Sequence, residues 1–503
     1  MTVTLISNGT QSSVDIPETI SGGTVKNVLA TGTLSSYVGI VPAGAANITY
    51  EKDASSGNVT VTKVNAGSAA SIVIPNTIDG GTVTAIGKEA FKDCSSLTSV
   101  SLPQKLTSIG ESTFGSCSTL TGITIPDSVD SIGTNAFSNC TKLETVTLPQ
   151  KITGIAAGLL SNCTSLKSID IPNGVTIIES HAFSGCTSHK DINLPQSIDT
   201  IQGNTFQLCE SLTSIDLPDS VNVIEDFAFQ NCSSLKTIFV PESLPLESAS
   251  IATETARITY KKDENAKKNV TVSNVYAGNQ TSIVIPDIID GETVTTIGDG
   301  VFKDCTSLVS ITLPQNITSI GNDTFSGCTA LKDFEIPSKV TGIGSNAFLS
   351  CTSLDKITIP DGVTSIGSAA FSGCSALASI TLHDGLTSIE NMAFESCSSL
   401  TGITLPSGLT KIGQFAFNDC SSLESFTVPL CVSYIGIGLL NGCNSLEYVF
   451  LPQYLVNIPT NPAIIYYEWD AYGIAYVTEV DADSKTSIEI PETIDGATVK
   501  FIQ

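Results

Sequence analysis

The sequence predicts a solenoid: a β-rich α/β stack of 23-residue coils with one parallel β-sheet face. Three observations predict it. Cysteines fall at 94, 117, 140, 163, 186, 209 and 232, then at 305, 328, 351, 374, 397, 420 and 443, so every step within a set is 23 residues. Fixed columns surround each of these 14 cysteines: Ile eight residues before in all 14, Phe three before in 12, Leu three after in 13 and Pro nine after in 13. One such coil cannot bury its apolar side alone, whereas stacked coils bury a continuous narrow core.

Each part of the coil has a reason. The segment Val100-Ser101-Leu102 alternates apolar and polar residues, as a strand with one buried face does. Pro103 ends it, because proline cannot donate to a ladder. The Ile-Gly pair and the Ala-Phe step then turn the chain back towards the next cysteine. Strands in neighbouring coils sit ~4.8 Å apart, so seven coils build a sheet on the order of 30–35 Å long.

The stretch Phe91-Lys92-Asp93-Cys94-Ser95-Ser96-Leu97, followed by Ser101-Leu102-Pro103, resembles the BspA-like (Treponema-type) leucine-rich repeat family. The resemblance runs over about residues 47–503. It implies a leucine-rich-repeat solenoid used as a binding scaffold, with no catalysis and no cofactor. It also implies a cell-surface or secreted protein, some relatives being implicated in attachment, with a host or extracellular-matrix protein as partner.

A larger repeat encloses the smaller one. Ile48-Thr49-Tyr50 to Gly80 and Ile258-Thr259-Tyr260 to Gly291 are similar leaders, one before each seven-coil array. A third starts near Tyr466, and Ile16-Pro17-Glu18-Thr19-Ile20-Ser21-Gly22 is the back half of another. Alternation in Val59-Thr60-Val61 and Val270-Thr271-Val272 predicts β-hairpin caps. The expected organisation is a partial leader and degenerate coil at 1–46, leader plus first array at 47–246, leader plus second array at 247–457, and a C-terminal leader or cap at 458–503. The arrays either run on as one arc or hinge at the leader around 245–260, near Pro241, Pro245 and the charged run Lys261 to Lys268. Opening halfway through one leader and stopping just after another, the chain reads as a fragment of a longer array or one of a reshuffled set.

Composition excludes whole classes. Acidic residues number 49 against 23 Lys and Arg, and the net charge is −26. Nucleic-acid binders cluster basic residues on phosphate, so nucleic acid is excluded as a partner, and anionic lipid is disfavoured for the same reason. No stretch approaches the ~20 apolar residues of a membrane helix, so direct membrane insertion is not expected. Residues Met1 to Ile20 do not read as a signal peptide, which keeps a cytoplasmic scaffold as the alternative.

Several motifs are candidate sites. The cysteine ladder reads as small buried thiols, with disulfides and metal as weaker readings, because zinc requires closely paired ligands. Cys431 stands off the grid and is the candidate exposed thiol. His181, His189 and His383 share no partner set. Gly436-Ile437-Gly438 with Gly442 looks like a phosphate loop but has the wrong spacing. Asp481-Ala482-Asp483 lacks the rest of a calcium loop. Ten Asn-x-Ser/Thr sequons, Asn47 and Asn316 among them, are glycosylation candidates in a secreted setting. The best candidate is the outward face of the sheet. It carries mixed charges at Lys167, Asp170, Lys190, Asp191 and Asp216, and at Lys332, Asp333, Glu335, Asp355 and Lys356. Aromatics stand on the last coil of each array, at Phe239, Tyr448 and Phe450, either as binding anchors or packed under the next leader.

Overall fold

The computed structural model describes residues 2–7, 10–15, 19–20, 23–24, 28–32, 46–244, 254–263, 269–455, 463–469, 475–481, 493–494 and 497–501. The chain forms two compact units, 1–255 and 256–503. Each is a succession of short strands and turns, and no helix occurs among the described residues. Pro245, Glu264 to Lys268, the Ile16-Pro17-Glu18 start of the N-terminal half leader and Ala482-Asp483 lie outside the described residues.

In the first unit the leader is an antiparallel hairpin, Ala46–Lys52 against Val59–Asn65. Burial alternates along both strands, so Ile48, Tyr50, Val59 and Val61 face the core. Asp79 and Gly80 have φ of 50° and 69° and turn Thr77–Ile78 back on Gly81–Ile86. Positive φ at both central residues of a two-residue turn favours Asp-Gly, which explains the extra leader residues. Gly81–Ile86 lies parallel to the second hairpin strand and begins a ladder that continues through Ser108–Ile109 and Ser131–Ile132.

Two parallel ladders therefore run along each unit, where the repeat pattern predicts one. The expected ladder contains Ser71–Val73, Ser99–Ser101, Gly122–Thr124 and Thr145–Thr147. The second uses the Ile that stands eight residues before each cysteine. In the second unit it runs unbroken from Glu292–Ile297 through Ser319–Ile320, Gly342–Ile343, Ser365–Ile366, Ser388–Ile389 and Lys411–Ile412 to Tyr434–Ile435.

The third side of the coil is a turn ladder. Amides of Glu89, Phe91 and Asp93 donate to the carbonyls of Glu111, Thr113 and Gly115 in the next coil, at 2.9, 2.8 and 2.9 Å. The intervening amides of Ala90, Lys92 and Cys94 donate back three residues instead. Left-handed φ at Glu89 (56°) and Asp93 (62°) produces this alternation. With these backbone groups committed between coils or within tight turns, no i→i−4 bonding remains to make a helix.

The core is a column per position. Phe114, Phe137, Phe325, Phe348 and Phe371 are fully buried. Their rings stack at the coil spacing, for example 5.1 Å for both Phe325–Phe348 and Phe348–Phe371. Leu160 interrupts the stack in the first unit, and His189, also fully buried, replaces the core leucine.

Candidate functional site

The site is assembled from the outward positions of the first ladder. Inward residues such as Ile169, Ile192 and Ile215 are buried and fix the strand, so their neighbours must face solvent. Lys167, Asp170, Lys190 and Asp191 are exposed, and Asp216 is half-buried. In the second unit Lys332, Glu335 and Lys356 are exposed and Asp355 is half-buried. The 23-residue step puts Lys167 and Lys190 in one column on adjacent coils, and Lys332 and Asp355 in another. The structure thus gathers one charged cluster on each unit. Asp333 and Tyr448 lie in the strands Asp333–Phe334 and Tyr448–Pro452, and their side chains lie outside the described residues.

Elsewhere the face is closed by its own hydroxyls. Ser99 and Ser71 share a hydrogen bond of 3.0 Å, Ser310 and Ser282 one of 2.9 Å, and the Thr98 hydroxyl donates to the Ala70 carbonyl at 2.7 Å. The strand lapses in the charged coils of the first unit, at 168–170 and 191–193, as it also does at the uncharged 402–404 of the second unit. The Lys190 amide reaches the Lys167 carbonyl at 3.5 Å, against 2.9 Å for Glu144 to Thr121 two coils earlier. Lys167 pairs with Glu144 at 3.0 Å, where both side chains are largely exposed. Such a pair contributes little to stability. No ion pair joins Asp170, Lys190 or Asp191 to another described residue.

The aromatic anchors need correction. Phe239 is 3% exposed and Phe450 is 2% exposed, so neither offers a free surface, and the packed alternative holds. The strand Tyr448–Pro452 is not terminal in its sheet: Ala463–Trp469 pairs with it, Phe450 opposite Ile465. A bulky residue at an outward position of the last coil is covered as part of the cap. Exposed aromatics occur instead off that face, among them Phe227 (54%) in the turn ladder, Tyr434 (47%) on the second ladder and Tyr454 (55%) in the turn after Tyr448–Pro452. Reading only the first strand of the coil missed them.

The thiols are placed as the repeat requires. Cys431 is exposed, and the 14 ladder cysteines are buried or half-buried with no disulfide. Each well-formed ladder thiol donates to a carbonyl in the preceding coil, as Cys117 does to Phe91 at 3.1 Å and Cys140 to Phe114 at 3.1 Å. Burial pushes Cys140 and Cys351 up to about 12, so these thiols stay protonated and weakly nucleophilic. A shallow depression of about 450 Å³ is lined by Gly203, Asn204, Glu225, Asp226 and Phe227. Its Glu225 carboxylate accepts the Gly203 amide at 2.9 Å, which is a structural use.

Comparison with known proteins identifies the repeat. The family model for the BspA type leucine rich repeat region matches residues 65–176, 153–262, 273–383 and 341–462, more than half of the chain. A leucine-rich repeat protein from Bacteroides ovatus is 28% identical over 93% of this chain and 100% of its own, with a TM-score of 0.39. A leucine rich cell surface protein from Faecalibacterium prausnitzii is 26% identical over 69% of this chain and 95% of its own, with a TM-score of 0.29. The leucine rich repeat protein of T. pallidum is 20% identical over 66% of this chain and 87% of its own, with a TM-score of 0.20. No curated protein matches the chain.

Proposed function

The chain belongs to the BspA-type leucine-rich repeat family, and from that premise we propose that it is a surface-exposed, adhesin-like protein that binds a host or neighbouring-cell protein. Repeat solenoids of this family are generally non-enzymatic scaffolds for protein interaction, so function rests with the surface. The observation that carries the proposal is the loosened charged patch at Lys167, Asp170, Lys190 and Asp191. There the sheet lapses, and Asp170, Lys190 and Asp191 have no ionic partner among the described residues, on a face otherwise tied up by hydroxyls. On the second unit the proposed patch is Lys332, Asp333, Glu335, Asp355 and Lys356, two coils earlier in its array and on strands that do form, with Asp216 and Tyr448 as flanking contacts.

A second reading is an intracellular scaffold. It is favoured by 15 free cysteines with no disulfide, a state that a reducing compartment maintains. No helix among the described residues is long and apolar enough to cross a membrane, which leaves both readings standing. Labelling intact cells with an impermeant reagent separates them. Labelled chain is expected for the adhesin, and chain protected until lysis would sink that proposal.

A further inference from the structure

The turn ladder is directional. Within the second unit the amides of Phe415, Phe417 and Asp419 donate to the carbonyls of Ile437, Leu439 and Asn441 at 2.9, 3.1 and 2.7 Å. The next donors in the series are the amides of Gly438, Leu440 and Gly442. They have no hydrogen-bond partner among the described residues. The C-terminal strands of this unit extend the other side of the coil, from Tyr448–Pro452 to Ala463–Trp469 and Ala475–Asp481. Of the two amides between these donors, that of Asn441 donates back to the Gly438 carbonyl at 3.3 Å and that of Leu439 has no hydrogen-bond partner among the described residues; beyond the row the Cys443 amide donates back to the Leu440 carbonyl at 3.3 Å. The ladder therefore ends in a row of three N–H groups with no acceptor among them.

We propose that this row is an oxyanion-binding edge, taking the oxygens of a sulfate, phosphate or carboxylate group. An ordinary β-strand presents N–H and C=O alternately along its edge, so adding one would set donor against donor. Backbone N–H groups in alternating right- and left-handed conformations form the concavities that bind anions. Gly438 and Gly442 have φ of 68° and 72°. The opposite end of the ladder is partly used by the leader, whose Val275 amide donates to the Val301 carbonyl at 3.2 Å, so a second copy stacked head to tail would meet an acceptor row already engaged at its centre.

The second unit is the better of the two ends. In the first unit the equivalent donors, Phe227, Phe229 and Asn231, are likewise unpartnered among the described residues, but exposed Glu225 and Asp226 precede them. The second unit has Gly436 and Ile437 there, and Ile437 is 67% exposed. One carboxylate remains, Asp419, packed against the Gly442 backbone. Asp419→Asn keeps the fold, because other coils carry Asn139, Asn162 and Asn231 at this left-handed position.

The test is an amide NMR titration of the full chain at constant ionic strength, with sodium sulfate in one arm and triglutamate peptide in the other. Saturable shifts are expected at Gly438, Leu440 and Gly442, with none at Phe415, Phe417 and Asp419 inside the ladder. Asp419→Asn is expected to tighten binding about three- to fivefold and Ile437→Glu to weaken it similarly, through one unit of charge near the row. Tighter binding of the peptide identifies an acidic protein segment as the source of the oxyanion, and equal binding identifies a free anion. Absent, non-saturating or ladder-wide shifts overturn the proposal.

Discussion

His189 occupies the core position that is leucine in the other 13 coils. It is fully buried, and neither ring nitrogen has a hydrogen-bond partner among the described residues. Burial lowers its pKa below the ordinary value, opposed by the nearby Asp191 carboxylate. As pH falls below ~6.5, the unfolded chain takes up a proton that the folded ring resists, so stability at this residue is present above that pH and lost below it. His189→Leu is expected to stabilise the chain by about 1–3 kcal/mol through relief of an unpaired buried polar group. Urea midpoints at pH 7.5 and 5.5 check the sign: the gap between variant and wild type should widen at the lower pH, and a constant gap would contradict it. The thiols give a second residue-scale expectation. In the native chain Cys431 reacts first, the half-buried Cys232 and Cys443 lag, and the other ladder thiols react only on unfolding. A denatured count below about 12 would refute the reduced, buried column.

The element that organises the coil is the stacked column. Phe348 is fully buried between Phe325 and Phe371, with centroids 5.1 Å from each. Phe348→Ala is expected to cost about 3–5 kcal/mol, read from denaturant unfolding, and a loss below ~1 kcal/mol would mean the column is not the core. These columns were legible in the sequence because Ile, Phe, Cys, Leu and Pro each answer a side-chain requirement that recurs every 23 residues. The leader hairpins were legible through period-two alternation and the Asp-Gly turns. The turn ladder was not, because its donors are backbone amides that any residue supplies. Its one trace is the run of Asp93, Ser116, Asn139, Asn162 and Gly185 just before successive cysteines, mostly residue types that tolerate left-handed φ. Outward aromatics misled for a related reason: alternation gives the direction of Phe239 and Phe450, whereas burial depends on what caps the coil.

At the scale of the whole molecule, a chain with a net charge of −26 carries few cations, so an exposed lysine next to unpaired acids on a repetitive face stands out. Two units of one design present such a cluster each, at Lys167 to Asp191 and at Lys332 to Lys356. The glycine run near residue 438 failed as a nucleotide motif by its spacing, yet its backbone ends the turn ladder of the second unit as a donor row. Function turns on which face binds. The decisive measurement compares retention of a partner protein from intact host or neighbouring cells on immobilised full-length chain. The three forms are wild type, Lys190→Glu combined with Asp191→Lys, and Lys411→Glu on the second ladder, where a part-buried pair with Glu390 is replaced by like charges. The Lys190 and Asp191 double variant is expected to lose at least about fivefold in retention, as interfacial charge reversal does, while Lys411→Glu retains as wild type. Equal retention by all three, or loss confined to Lys411→Glu, would contradict binding through the charged patch.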